Sequence, residues 1–341
     1  MLTHQRVRIE SNMSVFGTEF CEQYALAHYD GESWQGGDLI PLEPLALHPA
    51  AHVFHYASTC FEGFKAYRWD DGSVHVFRLD DHVARMQKSA ASLMLPIPDA
   101  DLLRDMVLRI VDASRDQIPA LPGALYLRPT LIGTLPNIGA AASPSTEAKL
   151  FVLASPVGDY FAGGLRPLKI LIDDEHARST RQLGSTKTGG NYASALGPTL
   201  SAKAKYGVDQ VLFCPSSDVQ ETGAANFILI GEDRVQTKPL DSSFLHGITR
   251  ASILQLAEDL GFDVVLEDFT VPALVDALDT HDAALSGTAA SLTPIGTMIY
   301  RDKEYAVNPG SEYASTLKLR AALSAVHSGE RDDQHGWLTR V

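Results

Sequence analysis

Strand-like and helix-like runs alternate along the chain from Ser14 to about Pro156. Such alternation is typical of domains that pack helices against a sheet. Within it, two strand-like runs flank Asp71 and Gly72, and an Asp-Gly pair in that position predicts a β-hairpin. The chain has 341 residues, which is long enough for two domains with separate cores. We therefore expect an α/β or α+β fold with two domains.

Charge and cysteine content narrow the classes of partner. The formal net charge of -14 repels phosphate backbones and anionic membrane surfaces. Residues 1–17 contain no apolar core of signal-peptide length, and no window approaches the length of a membrane span. Cys21, Cys60 and Cys214 lie far apart without metal-ligand spacing, which argues against a disulfide framework or a zinc site. We predict a cytoplasmic protein that binds small molecules, without nucleic acid, membrane or metal.

Lys187 is the strongest candidate for chemistry. It stands among Gly184, Gly189 and Gly190, so that backbone or cofactor can approach it closely. A lysine amine in such a place can attack a carbonyl group, and pyridoxal phosphate is the common partner of a lysine in that role. A solvated loop lysine is an equal alternative from these residues alone. A Walker phosphate loop does not fit, because its lysine follows a glycine and Lys187 follows Thr186.

The sequence KTGGNY, residues 187–192, resembles the cofactor-lysine motif of branched-chain amino-acid aminotransferases. These enzymes form part of the class IV, or fold-type IV, family of pyridoxal-phosphate enzymes. The resemblance implies two α/β domains with the cofactor site between them. It implies a small N-terminal domain over 1–155, an interdomain loop over 156–175 and a large C-terminal domain over 176–341. It also implies a homodimer.

Three stretches resemble family segments that bind the cofactor phosphate. HVAR, residues 82–85, resembles the HxxR segment and implies that Arg85 binds the phosphate, for which guanidinium geometry is well suited. Alone, Arg85 lies off the apolar stripe of its helix and is more typical of a solvated face. Ile248 and Thr249 open a predicted helix, where free amides and the helix dipole attract phosphate. SGTAA resembles the segment in which Thr288 would be the remaining contact.

Two further residues are implied to hold the cofactor ring near the catalytic Lys187. The resemblance implies that Tyr192 hydrogen-bonds the phenolic oxygen of the cofactor. ETGAAN resembles the ExGxxN segment, in which Glu221 would pair with the pyridine nitrogen. A nearby negative charge favours the protonated ring, which is the better electron sink. Taken alone, Tyr192 is a core tyrosine and Glu221 a solvated turn residue.

Tyr126 and Arg128 lie two residues apart in the predicted strand ALYLRPTLIGT, so their side chains share one face. Pro129 favours an edge position for that strand. The stretch resembles the YxR signature of the family. By that resemblance the tyrosine hydroxyl contacts the substrate α-carboxylate, and the arginine receives the side-chain carboxylate of glutamate.

Aromatic residues are implied to line the substrate side-chain pocket. The motif HYxxxxFEGxKAY implies Tyr56 and Phe61, and FGTEF implies Phe20. Without the resemblance these aromatic side chains are ordinary core residues. The other substrate contacts that the resemblance implies are Tyr160 in the interdomain loop, Ala224, where several relatives carry threonine, and the amide of Ala289.

Local signals also predict helix ends. Asp80 or Asp81 is a candidate cap for the helix of the HVAR segment, and Asn191 for the helix after the KTGG stretch. Gly207 is expected to end this second helix. Pro198 lies inside it and should kink or interrupt it, because proline lacks the backbone donor.

The resemblance implies transfer of the amino group of L-leucine, L-isoleucine or L-valine to 2-oxoglutarate by a ping-pong mechanism. The products are the branched-chain 2-oxo acid and L-glutamate. Sister class IV activities are alternatives: D-amino-acid or R-amine transamination, or aminodeoxychorismate lyase. YLRPT and FEGFK argue against them. A non-catalytic binding protein on the same scaffold is a further alternative, against which Lys187, Tyr192 and Glu221 argue together.

Overall fold

The computed structural model describes residues 16–139, 141–158, 164, 166–289 and 291–341. Two mixed layers of helix and sheet account for most of this chain. This architecture confirms the predicted α/β or α+β class. Within the described residues, every helix is too short or too polar to cross a membrane.

The first sheet is antiparallel and has eight strands in the order β17-β5-β4-β6-β7-β1-β2, with β3 also paired to β6. Its strands are β1 Gln23–Tyr29, β2 Trp34–Pro41, β3 Thr59–Phe61, β4 Phe64–Arg68, β5 Val74–Phe77, β6 Ala124–Gly133, β7 Ala148–Val157 and β17 Leu338–Arg340. Its helices are α1 His52–Tyr56, α2 Leu79–Ser92 and α3 Ala100–Ala113. The apolar faces of α2 and α3 form one buried core with this sheet, because Val83, Met86 and Ile110 point inward at helical spacing.

The second sheet has nine strands in the order β10-β9-β8-β15-β14-β11-β12-β13, with β16 paired to β15. Its strands are β8 Leu168–Asp173, β9 Gln210–Phe213, β10 Glu221–Thr222, β11 Asn226–Ile230, β12 Arg234–Thr237, β13 Asp263–Leu266, β14 Asp282–Gly287, β15 Ser291–Tyr300 and β16 Lys303–Ala306. Its helices are α4 Gly189–Tyr206, α5 Ile248–Asp259, α6 Val271–Ala277 and α7 Ala314–Ser328. Strand β8 is parallel to β9 and β15, and β12 is parallel to β13.

The two sheets divide the chain differently from the predicted ranges at two points. Strand β8 begins at Leu168, inside the predicted loop range 156–175. Strand β17 returns to the first sheet and pairs with β5, although it belongs to the range 176–341. Trp337 packs edge-on against Phe77 just before β17, so an apolar contact draws the end of the chain back to the N-terminal layer.

Two turn predictions are confirmed. Asp71 and Gly72 lie in the connection between β4 and β5, where Gly72 has a φ of +81° and the Asp71 carboxylate accepts a hydrogen bond from the amide of Ser73. Gly207 follows the last residue of α4 with a φ of +66°. Both glycines occupy the left-handed region, which side chains with a Cβ atom avoid.

The predicted aspartate cap of α2 is wrong. Arg78 is the N-cap of this helix and has a left-handed backbone, while Asp80 and Asp81 lie in the first turn. Asp81 instead accepts a hydrogen bond from the Arg78 guanidinium at 2.5 Å. Both carboxylates still face the positive end of the helix dipole, which explains their position without a capping bond.

The predicted Asn191 cap of α4 is also wrong. Thr188 is the N-cap, and Asn191 is buried one turn later. Its side-chain amide donates to the carbonyls of Leu183 at 2.7 Å and Thr186 at 2.9 Å, so it holds the loop before the helix. The predicted interruption at Pro198 is wrong, because α4 continues through this residue to Tyr206.

Candidate active site

The first and second sheets meet at a break between β3 and β4. The amide of Phe61 donates to the carbonyl of Lys187 at 3.0 Å, and the Thr288 hydroxyl donates to the carbonyl of Gly63 at 2.9 Å. A Cβ atom at Gly63 would lie 2.0 Å from the hydroxyl oxygen of Tyr126, so only glycine fits there. The break therefore contacts two connecting segments, the loop before α4 and the turn between β14 and β15, and fixes them against the first sheet.

Lys187 lies beside this break with its amine in an aromatic setting. Its Nζ donates to the hydroxyl of Tyr192 at 2.9 Å and lies 5.0 Å from the ring centroid of Phe61. The rings of Phe61 and Tyr192 are 5.2 Å apart. Helix α4 begins at Gly189, so its first turn carries Tyr192 back toward the lysine. The structure thus brings together three of the predicted site residues.

Glu221 is buried on β10, contrary to its expectation as a solvated turn residue. Its Oε1 accepts the amide of Leu245 at 2.7 Å and lies 2.6 Å from the guanidinium of Arg178. Its Oε2 accepts the side-chain amide of Asn226 at 3.0 Å. Burial raises the pKa of Glu221 to about 7, and the charge of Arg178 is the largest influence that opposes this rise. A carboxylate offers about four acceptor positions, so one remains for a further donor.

Arg85 is held on α2 by a second buried carboxylate. Its Nε and Nη2 donate to the two oxygens of Glu62 at 2.7 and 2.8 Å, and Nη1 donates to the carbonyl of His246 at 3.0 Å. The ring of His82 lies 2.7 Å from the same carboxylate. The Arg85 side chain is 10% exposed, which does not fit a solvated helix face. Among the described residues, these contacts use three of its five N–H donors, so two can bind an anion.

Sequence reasoning missed Glu62 and His82, although both lie inside motifs that it used, FEGFK and HVAR. Burial alone would raise the pKa of Glu62. The charge and hydrogen bonds of Arg85, together with the hydrogen bond from His82, instead hold the pKa of this carboxyl far below its usual range. Glu62 is therefore ionised and fixes the direction of Arg85.

Helix α5 presents its N-terminus next to the Glu221 carboxylate. Gly247 is its N-cap and supplies no side-chain cap, so the amides of Ile248 and Thr249 are available to an anion. A Cβ atom at Gly247 would lie 1.9 Å from the side-chain oxygen of Asn226, which brings the helix close to β11. Thr249 and Thr288 line one small cavity, so the structure brings these predicted phosphate contacts together.

Tyr126 and Arg128 share one face of β6, as predicted. The Arg128 guanidinium donates to the Tyr126 hydroxyl at 2.8 Å and lies 4.7 Å from the ring centroid of Phe61. The Nε of Arg128 is buried and has no hydrogen-bond partner within the described part of the chain. A buried donor in this condition is costly, and a bound carboxylate would satisfy it.

The expectation that Pro129 marks an edge strand is wrong. Strand β6 lies inside the sheet, between β7 and the pair β3 and β4. The carbonyl of Pro129 accepts the amide of Glu62 at 2.8 Å, so Pro129 faces the break between β3 and β4. The amide and carbonyl of one strand residue point to the same side, and the missing N–H therefore falls where the ladder is already interrupted.

Three further aromatic residues were predicted as substrate contacts, namely Phe20, Tyr56 and Tyr160. Phe20 is 48% exposed, and Phe16, which sequence reasoning missed, packs edge-on against Tyr126 at 4.8 Å. Tyr56 lies on α1 and donates its hydroxyl to a backbone carbonyl, that of Ile138, at 2.5 Å. Tyr160 is outside the described residues. As substrate contacts, all three stay predictions.

Ala224 lies in the turn between β10 and β11, and Ala289 in the turn between β14 and β15; both line a cavity of about 310 Å³ together with Thr288. The carbonyl of Ala289 accepts the Lys65 amine at 3.1 Å, which ties this turn to the first sheet. The small side chains leave space beside the turn, as required for a ligand that lies against the backbone.

A protein-family model described as "Amino-transferase class IV" matches residues 59–297. The chain belongs to this family. The match spans the break between β3 and β4, the lysine loop and the SGTAA turn, so every buried charge described above lies inside the class IV region.

Individual class IV relatives cover almost the whole chain. The branched-chain-amino-acid aminotransferase of Mycolicibacterium smegmatis is 35% identical over 340 residues, which cover 96% of this chain and 92% of the relative. The crystal structure of a branched-chain amino acid aminotransferase from T.th. with pyridoxamine 5′-phosphate has a TM-score of 0.79 and 25% identity, and covers 94% of this chain and 99% of that chain. The complex of the T.th. enzyme with N-(5′-phosphopyridoxyl)-L-glutamate has a TM-score of 0.76 and 25% identity, with coverage of 92% and 97%.

We predict that Glu62→Gln lowers the free energy of unfolding at pH 7.5 by about 3 kcal/mol, because it leaves Arg85 buried beside an uncharged partner. The pKa of Glu62 is lower in the folded chain than in the unfolded chain. Its contribution is therefore present above the unfolded value of about 4.3 and is lost as the pH falls toward the folded value. Urea unfolding at pH 7.5 and 3.5 measures the effect.

The exposed carboxylate of Glu43 provides the matched control, and Glu43→Gln should change stability little at either pH. The difference in the free energy of unfolding between wild type and Glu62→Gln should be smaller at pH 3.5 than at pH 7.5. A difference of the same size at both values would contradict an ionised Glu62.

Proposed function

We propose that this protein is a pyridoxal-phosphate-dependent aminotransferase that moves the amino group of L-leucine, L-isoleucine or L-valine to 2-oxoglutarate. The observation that carries the proposal is the contact of the Lys187 amine with the Tyr192 hydroxyl, next to the buried carboxylate of Glu221. An amine, a phenol and an acid at these sequence positions match the motifs of the family. The names of the relatives support the choice of substrates.

The residues fit the cofactor at each of its ends. The two spare donors of Arg85, the first-turn amides at Ile248 and Thr249, and Thr288 suit a phosphate group. The remaining acceptor position of Glu221 suits a protonated ring nitrogen. When bound, pyridoxal phosphate supplies an electron sink for the negative charge that develops at the substrate Cα.

The chain itself supplies proton transfer and substrate orientation. We assign to Lys187 the covalent attachment of the cofactor and the movement of a proton at the substrate Cα, as general base and then general acid. Tyr192 holds the amine by accepting its hydrogen bond at 2.9 Å. The hydroxyl of Tyr126 and the amide of Ala289 are proposed to orient the α-carboxylate.

Both kinds of substrate must fit one pocket. The ring of Phe61 offers an apolar wall for a branched aliphatic chain. The Nε of Arg128, which has no partner in the described part of the chain, offers a donor for the glutamate carboxylate. We include Phe20, Tyr56, Tyr160 and Ala224 in the proposed pocket on the resemblance alone.

We further propose a cytoplasmic homodimer of two-domain subunits. Free buried cysteines Cys21, Cys60 and Cys214 fit a reducing compartment. The proposed domains correspond to the two sheets, with the N-terminal domain completed by residues 338–340. Support for the dimer comes from exposed apolar side chains on two helices, since Phe54 on α1 and Leu200 on α4 are 61% and 55% exposed.

Lys187→Ala should abolish the visible Schiff-base absorption band of the cofactor and lower glutamate formation from leucine and 2-oxoglutarate at least about 100-fold. Lys205→Ala, an exposed lysine on α4, is the matched control and should keep both properties. Retention of the band in Lys187→Ala would assign another lysine. If the wild-type protein is inactive with leucine but active with D-alanine or an R-amine, the proposed substrates are wrong and the protein has a sister class IV activity.

Arg128→Met should separate the two substrates. The half-reaction with glutamate should slow about 100-fold, because a charged partner of its side-chain carboxylate is lost, whereas the half-reaction with leucine should change less than about 5-fold. Single-turnover absorbance changes of the cofactor measure each half-reaction. Equal losses with leucine and glutamate would argue against a carboxylate contact at Arg128.

Leu200→Glu should convert the dimer to a monomer, because it places a charge in an apolar contact. Met94→Glu is the control at a residue that is 69% exposed and lies two positions beyond the end of α2, and it should leave the assembly unchanged. Sedimentation equilibrium reads the mass directly. A monomeric wild-type protein would remove the dimer proposal.

A further inference from the structure

Arg178 is the largest side chain that the structure buries almost completely, at 1% exposure. It lies in the segment between β8 and α4, outside every motif that sequence reasoning used. A buried guanidinium is costly unless its charge is paired and its donors are satisfied. The groups around Arg178 therefore indicate the role of its charge.

The contacts of Arg178 converge on the candidate active site. Its Nη1 lies 2.6 Å from Oε1 of Glu221, its Nε donates to the carbonyl of Gly223 at 3.3 Å, and Nη1 also donates to the carbonyl of Gly184 at 3.4 Å. These two carbonyls belong to the ETGAAN turn and to the lysine loop. One side chain thus ties the lysine loop to the ETGAAN turn.

Arg178 also reaches the opposite side of the site through Tyr192. Its guanidinium carbon lies 5.8 Å from the centroid of the Tyr192 ring, within range of a cation–π interaction. The hydroxyl of the same tyrosine accepts the Lys187 amine. Arg178 therefore contacts Glu221 directly and is linked to Lys187 through Tyr192.

We propose that Arg178 is a positioning residue that keeps the Glu221 carboxylate anionic and directed at the ring nitrogen, and that steadies Tyr192 beside Lys187. This inference rests on the proposed function, because it takes Glu221 as the partner of the cofactor ring. Arg178 occupies Oε1, and Leu245 shares that oxygen. The free acceptor position is consequently on Oε2, where Asn226 fixes the orientation.

The electrostatic surroundings agree with this role. Burial raises the pKa of Glu221, and the charged groups that oppose the rise are Arg178, then Lys187 and Arg85, together with the amide of Leu245. Lys187 loses its free amine when it holds the cofactor, and Arg85 is neutralised by Glu62. Arg178 is then the main positive charge that keeps Glu221 ionised near neutral pH.

The test is a double-mutant cycle with Arg178→Gln, Glu221→Gln and the combined variant. The dissociation constant for pyridoxal phosphate is measured by absorbance titration from pH 6 to 9. Arg178→Gln should weaken binding about tenfold at pH 7 and move the midpoint of the pH profile about one unit upward, since one unit of pKa is a tenfold change in the ionised fraction. In the Glu221→Gln background, Arg178→Gln should change affinity less than about twofold.

Each alternative result has a separate meaning. Arg178→Gln could weaken pyridoxal-phosphate binding equally in the wild-type and Glu221→Gln backgrounds and leave the midpoint of the pH profile unmoved. That result would show that the arginine has only a structural role and would overturn the proposal. A pH profile in Glu221→Gln that matches wild type would instead remove Glu221 as the ring partner, and with it that part of the proposed function. If Arg178→Gln fails to fold by circular dichroism, Arg178→Lys takes its place, and an unmoved midpoint in that variant would also overturn the proposal.

Discussion

Between β3 and β4 the first sheet presents the backbone and side chains of residues 61–63 to loops that belong with the second sheet. Phe61 binds the carbonyl of Lys187, Gly63 accepts the hydroxyl of Thr288, and Glu62 turns inward to hold Arg85. A continuous strand would use the same groups in its ladder and leave no contact for the lysine loop. The interruption therefore creates the space of the site and also fixes the groups around it.

The two buried carboxylates, Glu62 and Glu221, have opposite pKa shifts and different roles. Glu62 has two hydrogen bonds from the charged Arg85 and one from His82, and these outweigh burial. Glu221 has one guanidinium, one backbone amide and one neutral side-chain amide, and here burial is the stronger influence. Glu62 is consequently ionised at neutral pH and holds Arg85 in place. Glu221 lies near its titration midpoint, where a cationic ligand would itself favour ionisation.

The sequence could predict those parts of the site that depend on short distances along the chain. The alternation of a strand brings Tyr126 and Arg128 to one face, and the first turn of α4 returns Tyr192 to Lys187. Tertiary contacts decided the rest. Asn191 binds the loop before its helix instead of capping the helix, and the partners Arg178 and Glu221 come from separate segments that share no local pattern. Local propensity contains no information on such pairs.

The position of Arg128 explains how a single pocket could serve two chemically different side chains. A guanidinium is planar and weakly hydrated, so its face can lie on aromatic rings and present an apolar surface while its edge retains directional donors. In this structure the group lies 4.7 Å from the Phe61 centroid and 5.2 Å from the Tyr126 centroid, and its buried Nε has no hydrogen-bond partner among the residues that the structure describes. An aliphatic chain would pack against the ring of Phe61, and a glutamate side chain would reach the edge.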